Sequence, residues 1–308
     1  MARVSTTRGY KGRGRFTLRP LAGGRPFELG NVVTLSETIE SERIARSNNQ
    51  EVGGGELDVQ EFIQSVTFEV LANDITPQNI ALGLRGSFDQ IATGSVTDES
   101  LDAWPQLRLA FAYLPDPDQS ATITLDATAT PATTTAYAVG DTVVVASRGY
   151  IATVAGTSGG TAPSWPTDLG TVEDGTVTWK DMGPVALVAD TDYARTPHGI
   201  VFLAAADGRF PASIPMPIKA AYTRNAQWLI QALVNSGEEY EMIYHGLNEI
   251  DSGNPMVGRY FRVKFSPTSG FNRHGGDDFA ELTLTGTVLE DSSRIGAGLS
   301  KYMEFSMI

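Results

Sequence analysis

The 308-residue sequence predicts a mainly β protein: a sandwich- or barrel-like host domain with one short packed helix, and a small all-β module inserted into it. Three observations carry this. Apolar and polar residues alternate along much of the chain, with Thr and Val frequent, as half-buried strands require. A helix is well signposted at one place only. From about residue 127 to 183 the composition shifts to Thr, Ala, Gly and Pro, after which the strand pattern resumes. The predicted organisation is a basic N-terminal arm (1–27), a first part of the host domain (28–126), the inserted module (127–186), and a second part ending in a C-terminal arm (187–308).

Taken in order, residues 1–27 hold Arg3, Arg8, Lys11, Arg13, Arg15, Arg19 and Arg25 without an acid, on a chain of net charge −13. A cationic arm on an anionic body reads either as a self-assembly device or as a solvated tail. Residues 32–44 alternate, with Val33, Leu35 and Ile39 on one face and Thr34, Ser36, Thr38, Glu40 and Glu42 on the other. Residues 62–70 repeat the pattern, with Val66, Phe68 and Val70 inward and Ser65, Thr67 and Glu69 outward. The connector 45–60, with Gly53, Gly54 and Gly55 at its centre, is too long for a tight turn and reads as an arm that orders on a neighbouring subunit. Thr76 suits a helix cap, Pro77 the first helical position and Gly86 the close, with Ile80, Leu82 and Leu84 as apolar contacts. Such a helix plugs one open side of a β core.

Inside the module, 141–147 and 150–155 read as a hairpin, 176–180 as a further strand, and 157–168 as an irregular loop holding Pro163, Trp165 and Pro166. The last strand pattern, 279–289, turns Glu281, Thr283, Thr285 and Thr287 away from Leu282, Leu284 and Val288.

An apolar content of 41% supports a sizeable core, and the absence of cysteine removes disulfides, thiolate zinc sites, iron–sulfur clusters and cysteine nucleophiles. The apolar runs 200–206 and 228–234 are far shorter than the ~20 residues of a membrane span. No apolar segment follows the basic start, so no targeting address is expected. The acidic balance argues against ordinary duplex-DNA binding, which needs clustered Lys and Arg. Gly156-Thr157-Ser158-Gly159-Gly160 satisfies G-x-S-x-G but lacks the strand before and helix after that a nucleophile elbow needs, and reads as a flexible turn. His198, His245 and His274 show no metal-pair spacing. Acids cluster at Glu238, Glu239 and Glu241 and at Asp277, Asp278 and Glu281; paired carboxylates serve glycosidases, but solvated turns carry them too. Asp207-Gly208 and Asp251-Ser252-Gly253 are turn signals. The expectation is a non-enzyme without metal or cofactor.

Four stretches resemble one family: FELGNVVTLSETIESERIARSNNQEVGGGELD (27–58), FIQSVTFEVLANDITPQNIALGLRGS (62–87), EYEMIYHGLNEIDSGNPMVGRYFRVKFSP (239–267) and GDDFAELTLTGTVLEDSSRIGAGLSKYMEF (276–305). In this order they are similar to the major tail tube proteins of long-tailed, siphovirus-like bacteriophages, and VADTDYARTPHGIVFL (188–203) resembles a strand pair of that family. The resemblance implies a virion protein, made in the bacterial cytoplasm, whose hexameric rings stack into a tail tube around a DNA channel. It implies as partners further copies of the chain, a tape measure protein, a tail terminator, tip proteins and DNA in transient, non-specific passage, with no membrane insertion. On that reading Glu40, Glu42, Glu69 and Glu281 are candidates to face the lumen, the alternative for each being the outer surface. Arg13, Arg15, Arg46, Asn48, Asn49, Gly53, Gly54 and Gly55 are candidates for contacts within or between rings.

The module resembles small chitin-type carbohydrate-binding domains at residues 136–141, Gly149-Tyr150, Pro163-Ser164-Trp165-Pro166 and Thr176-Val177-Thr178-Trp179. Tyr137, Tyr150, Trp165 and Trp179 form either a platform for host glycans or the module's own core. The competing functional reading is therefore a virion decoration or adhesion protein that binds host surface glycans.

Overall fold

The computed structural model describes residues 9–50, 52–250, 253–268, 270–271 and 279–308. Arg3, Arg8, Asp251, Ser252, His274, Asp277 and Asp278, named above, lie outside the described residues. The chain divides into two compact units, Met1–Asp89 with Trp228–Ile308, and Gln90–Gln227.

The first unit begins with β1 (Gly12–Pro20), β2 (Phe27–Glu28), β3 (Val32–Ser47), β4 (Glu56–Ala72), helix α1 (Pro77–Gly83) and β5 (Ser87–Ile91). The chain then passes through β6 (Gly94–Ala103), β7 (Arg108–Ala110), β8 (Thr122–Leu125), β9 (Ala136–Tyr137), β10 (Thr142–Val145), β11 (Arg148–Val154), β12 (Gly156–Thr157), β13 (Thr171–Asp174), β14 (Val177–Pro184), β15 (Tyr193–Thr196), β16 (Gly199–Phe202), a 3-10 turn (Ala204–Arg209) and β17 (Met216–Arg224). It ends with β18 (Gln227–Gln231), β19 (Glu239–Asn248), β20 (Asn254–Phe265), β21 (Leu282–Val288) and β22 (Met303–Met307). The fold is mainly β, as the alternation predicts, and among the described residues no sheet closes into a barrel.

An eight-stranded sheet in the order β2-β1-β19-β20-β21-β4-β3, with β22 added on β20, builds the first unit. One face is the core: Phe16 and Leu18 of β1, Met242, Tyr260, Val263 and Phe265 of β19 and β20, Leu282 and Leu284 of β21, and Val66, Phe68 and Val70 of β4 are buried together. The inward set read for 62–70 is the observed one. Helix α1 lies on this face, close enough that a Cβ on Gly83 would stand 3.0 Å from Leu284. Its start follows the sequence signals. The Thr76 hydroxyl accepts from the Asn79 backbone N–H at 3.1 Å, Pro77 sits in the first turn, and the Gly86 N–H donates to the Ala81 carbonyl at 2.7 Å.

Three expectations change here. The basic N-terminal segment is no free arm over its described length, because β1 pairs with β19 from Gly12 to Pro20 and buries Phe16 and Leu18. The connector 45–60 is about half strand: β3 and β4 stay paired out to Ser47 and Glu56, closing through Asn48 N–H to the Gly55 carbonyl at 2.6 Å. Val33 falls in a register shift between Val32 and Thr34 and is exposed, and Ile39, which shares a face with Leu35, is exposed too.

In the second unit, β6-β17-β8 and β15-β16-β7 enclose a core of Ile123, Ile200, Phe202, Ile218 and Tyr222. The sheet β10-β11-β14-β13 is shared between two cores. Ile151 and Met182 join the larger one, while Tyr150, Ala152, Val177 and Trp179 build a smaller one with Val143. The compact unit is thus wider than 127–186, because strands on both sides of that segment bury their apolar faces against it. Asp181, fully buried, accepts from Arg148 at 2.6 Å and from the backbone N–H of Leu169 and Gly183 at 3.0 and 2.8 Å.

Candidate assembly surface

The outward face of the large sheet is built from the polar alternates of the strands just described. Across β20, β21, β4 and β3 the pairing sets Lys264, Thr287, Thr67 and Thr38 in one row and Thr285, Glu69 and Ser36 in the next. A shallow groove of about 340 Å³ runs between these hydroxyls. Glu40 continues the face, its carboxylate accepting from the Ser65 hydroxyl at 2.8 Å.

Next to Glu40 the register slips by one residue: Glu40 pairs with Ser65, but Ser41 pairs with Ile63, so Gln64 is an extra residue and β4 bulges there. Beyond it, Glu42 with Phe62, Ile44 with Gln60 and Arg46 with Asp58 share the hydroxyl face. Ser41 with Ile63, Arg43 with Glu61 and Ala45 with Val59 continue the other face. The structure thus gathers Glu40, Glu42 and Glu69, all exposed, on one face; Glu281 is exposed but precedes β21.

The distal hairpin has little to bury against within its own chain. Ile44, Leu57, Val59, Phe62 and Ile63 are each roughly half exposed, and Val52 at the tip is fully exposed. Arg43 forms an ion pair with Glu56, whose carboxyl is held below the usual range chiefly by the guanidinium's hydrogen bonds. At the tip Gly53 has φ +108°, a conformation that favours glycine. The Asn48 side chain accepts from the Gln50 N–H at 2.9 Å. Arg46 and Asn49 are exposed beside it, with Gly54 and Gly55 completing the turn.

Among the described residues both sheet ends are open: β3 has no strand partner on its outer side, and β2 with Leu29 covers β1 from Phe16 to Leu18. Exposed strand edges carry unpaired backbone donors and acceptors, which associate unless covered. The β1 end is cationic. Arg13 and Arg15 are largely exposed and reach Glu249 and Glu28 only at 3.4 Å each. Lys11 is nearer to Glu249, at 2.8 Å, and its hydrogen bond is the main reason that carboxyl titrates below its ordinary value.

The aromatic residues of the small core settle differently from a glycan platform. Tyr150 and Trp179 are buried, with 1% and 0% exposure, and only Tyr137 and Trp165 keep partial exposure. Tyr137 meets Trp179 edge-on at 4.8 Å and Trp165 meets Tyr150 at 4.6 Å, so the four rings pack on one another. Of the two readings, burial favours the module's own core for Tyr150 and Trp179: a small module needs its largest rings inside. Ser158 is also buried, donating to the Ala132 carbonyl at 2.7 Å within its turn.

One polar feature escaped the sequence reading. Glu37 stands at an apolar-phase position of β3 and accepts from the Tyr260 hydroxyl, whose pKa burial pushes up. An acid in the inward phase of an alternating strand is the signal that could have marked it.

No curated protein matches the chain significantly. The family described as "Protein of unknown function UCP028589" matches residues 9–166 and 165–306, which together span nearly the whole sequence, and the chain belongs to that family.

Proposed function

We propose that the chain is a structural virion protein that assembles into stacked, hexameric rings forming the tail tube of a long-tailed phage. The carrying observation is an eight-stranded sheet whose two ends, one cationic, are open among the described residues, with a hairpin of exposed apolar residues running past the core. Assembly would cover both. The ring number, the stacking and the tape measure, terminator and tip partners come from the family resemblance.

In such a ring the row-bearing face of β21, β4 and β3 lines the channel. Glu40, Glu42, Glu69 and Glu281 are the proposed lumen acids, each repeated once per subunit. Phosphate binding strengthens with the number of phosphates neutralised, so hydroxyls and carboxylates give DNA a surface on which it slides without holding. Virions carrying Glu40→Lys and Glu69→Lys should eject DNA more slowly while forming normal tails. Unchanged ejection removes the channel assignment, and a purified chain that shows no rings or tubes by negative-stain microscopy at any concentration removes the assembly reading. The adhesion reading loses ground with the burial of Tyr150 and Trp179.

A further inference from the structure

We propose that a cavity lined by β1 and β3 binds an alkylated ammonium group, a small organic cation of the choline class. The site goes beyond the assembly reading and does not depend on it.

Residues 12–14 of β1 and 32–35 of β3 border a cavity of about 520 Å³. Small-molecule sites commonly measure about 300–1,000 Å³. Five aromatic rings line it: Tyr10, Phe16, Tyr244, Tyr260 and Phe305. Register explains how they gather. Phe16, Tyr244, Gly258 and Phe305 form one cross-strand row through β1, β19, β20 and β22. With no side chain at Gly14 or Gly258, the Tyr244 and Phe305 rings lie over the backbone, where a Cβ would stand 2.7 and 2.9 Å from them. Phe16 and Tyr244 stack at 4.7 Å, and the Tyr10 and Tyr244 hydroxyls are 3.3 Å apart.

One acid faces these rings. Glu37 stands in the inward phase of β3, and one of its carboxylate oxygens accepts from the Tyr260 hydroxyl. Its other oxygen has no partner among the described residues. The cation on the cavity wall, Arg13, reaches Glu249 at 3.4 Å instead. A carboxylate beside several rings favours a cation, because π faces attract positive charge within about 6 Å of the ring centroid. With one oxygen already engaged, Glu37 suits a point charge better than the two-pronged guanidinium fork. Rings also favour an alkylated ammonium over a bare one, whose strong hydration must be stripped away on entry.

The test is calorimetric titration of the full-length chain with choline and with 3,3-dimethylbutanol, its uncharged isostere. Choline should bind saturably, and the alcohol at least ten-fold more weakly. Glu37→Gln should weaken choline at least ten-fold and leave the alcohol unchanged, a split that general damage to the fold would not produce. Phe305→Leu, which keeps apolar bulk but removes a ring, should weaken choline by about three-fold. Tyr260→Phe, with ring and carboxylate both retained, should stay within three-fold of the parent. Equal binding of choline and the alcohol overturns the cation assignment, and no saturable binding of choline overturns the site. Nα-acetyl-lysine methylamide binding as tightly as choline overturns the alkylated ligand in favour of a lysine side chain.

Discussion

Replacing Trp179 by alanine separates a core tryptophan from a binding one. The indole is fully buried on β14, against Tyr137 at 4.8 Å and Trp165 at 5.9 Å, in a core of five buried residues. Removing a buried Trp side chain costs about 3–5 kcal/mol through lost burial and the cavity left behind. The aromatic pairs, about 0.5–1.5 kcal/mol each, argue for the upper half of that range. One feature works the other way. Trp179 Nε1 is buried without a hydrogen-bond partner, and an unpaired buried donor costs about 1–3 kcal/mol. Trp179→Phe should therefore lose far less than Trp179→Ala, about 1 kcal/mol or less, since it removes the unpaired N–H along with some contact area. The assay is native-state hydrogen exchange of the β11 and β14 amides in the full chain, which reads opening of this sheet directly. An alanine variant with exchange within ~0.5 kcal/mol of the parent, the ordinary size of a surface change, would refute the core assignment.

Two further outcomes follow from the first unit. Thr76→Ala removes the oxygen that accepts from Asn79 at 3.1 Å and should cost about 1 kcal/mol, seen as a lower denaturant midpoint with unchanged slope; a neutral result would mean that the cap contributes nothing. Arg262 holds the Glu239 carboxyl below its ordinary pKa, mainly through hydrogen bonds at 2.6 and 2.9 Å, so the pair stabilises fully above the unfolded-state value and less as pH falls through the depressed one. Glu239→Gln should accordingly lower the midpoint at pH 7 and converge on the parent near pH 2, and a gap that persists in acid would contradict the linkage.

How much was legible depended on whether local chemistry decided the element. Thr76, Pro77 and Gly86 specify a helix start and stop through their own hydrogen bonds and dihedral limits, so α1 was readable. Val66, Phe68 and Val70 alternate against Ser65, Thr67 and Glu69, and the faces followed. The strand ends of the connector, 45–47 and 56–60, were missed because their strand character comes from pairing with the opposite strand. Apolar Ile44, Val59 and Ile63 do not announce that they pair outside a core. The extent of the second unit was hidden for a related reason: Ile151 and Met182 tie the Thr- and Gly-rich segment to strands far away in sequence. The aromatic rings were seen as a group, and only burial separated Tyr150 and Trp179 from Tyr137 and Trp165.

The bulge at Gln64 decides which side chains of the distal β4 share a face with the buried Val66, Phe68 and Val70. Without it, Ile63, Glu61 and Val59 would stay in phase with Ser65, Thr67 and Glu69 and fall on the hydroxyl face beside Glu40. A one-residue slip exchanges the two faces of a strand. Placed between the buried half of β4 and its exposed half, the extra residue returns Ile63, Glu61 and Val59 to the side that continues the core and leaves Phe62 and Gln60 on the hydroxyl side with Glu42 and Ile44. β3 runs through the same point without an insertion, so Glu40 and Glu42 remain on one face while their partners change. In the proposed ring the hairpin would then carry Glu40 and Glu42 on the channel side and Ile63 and Val59 on the other.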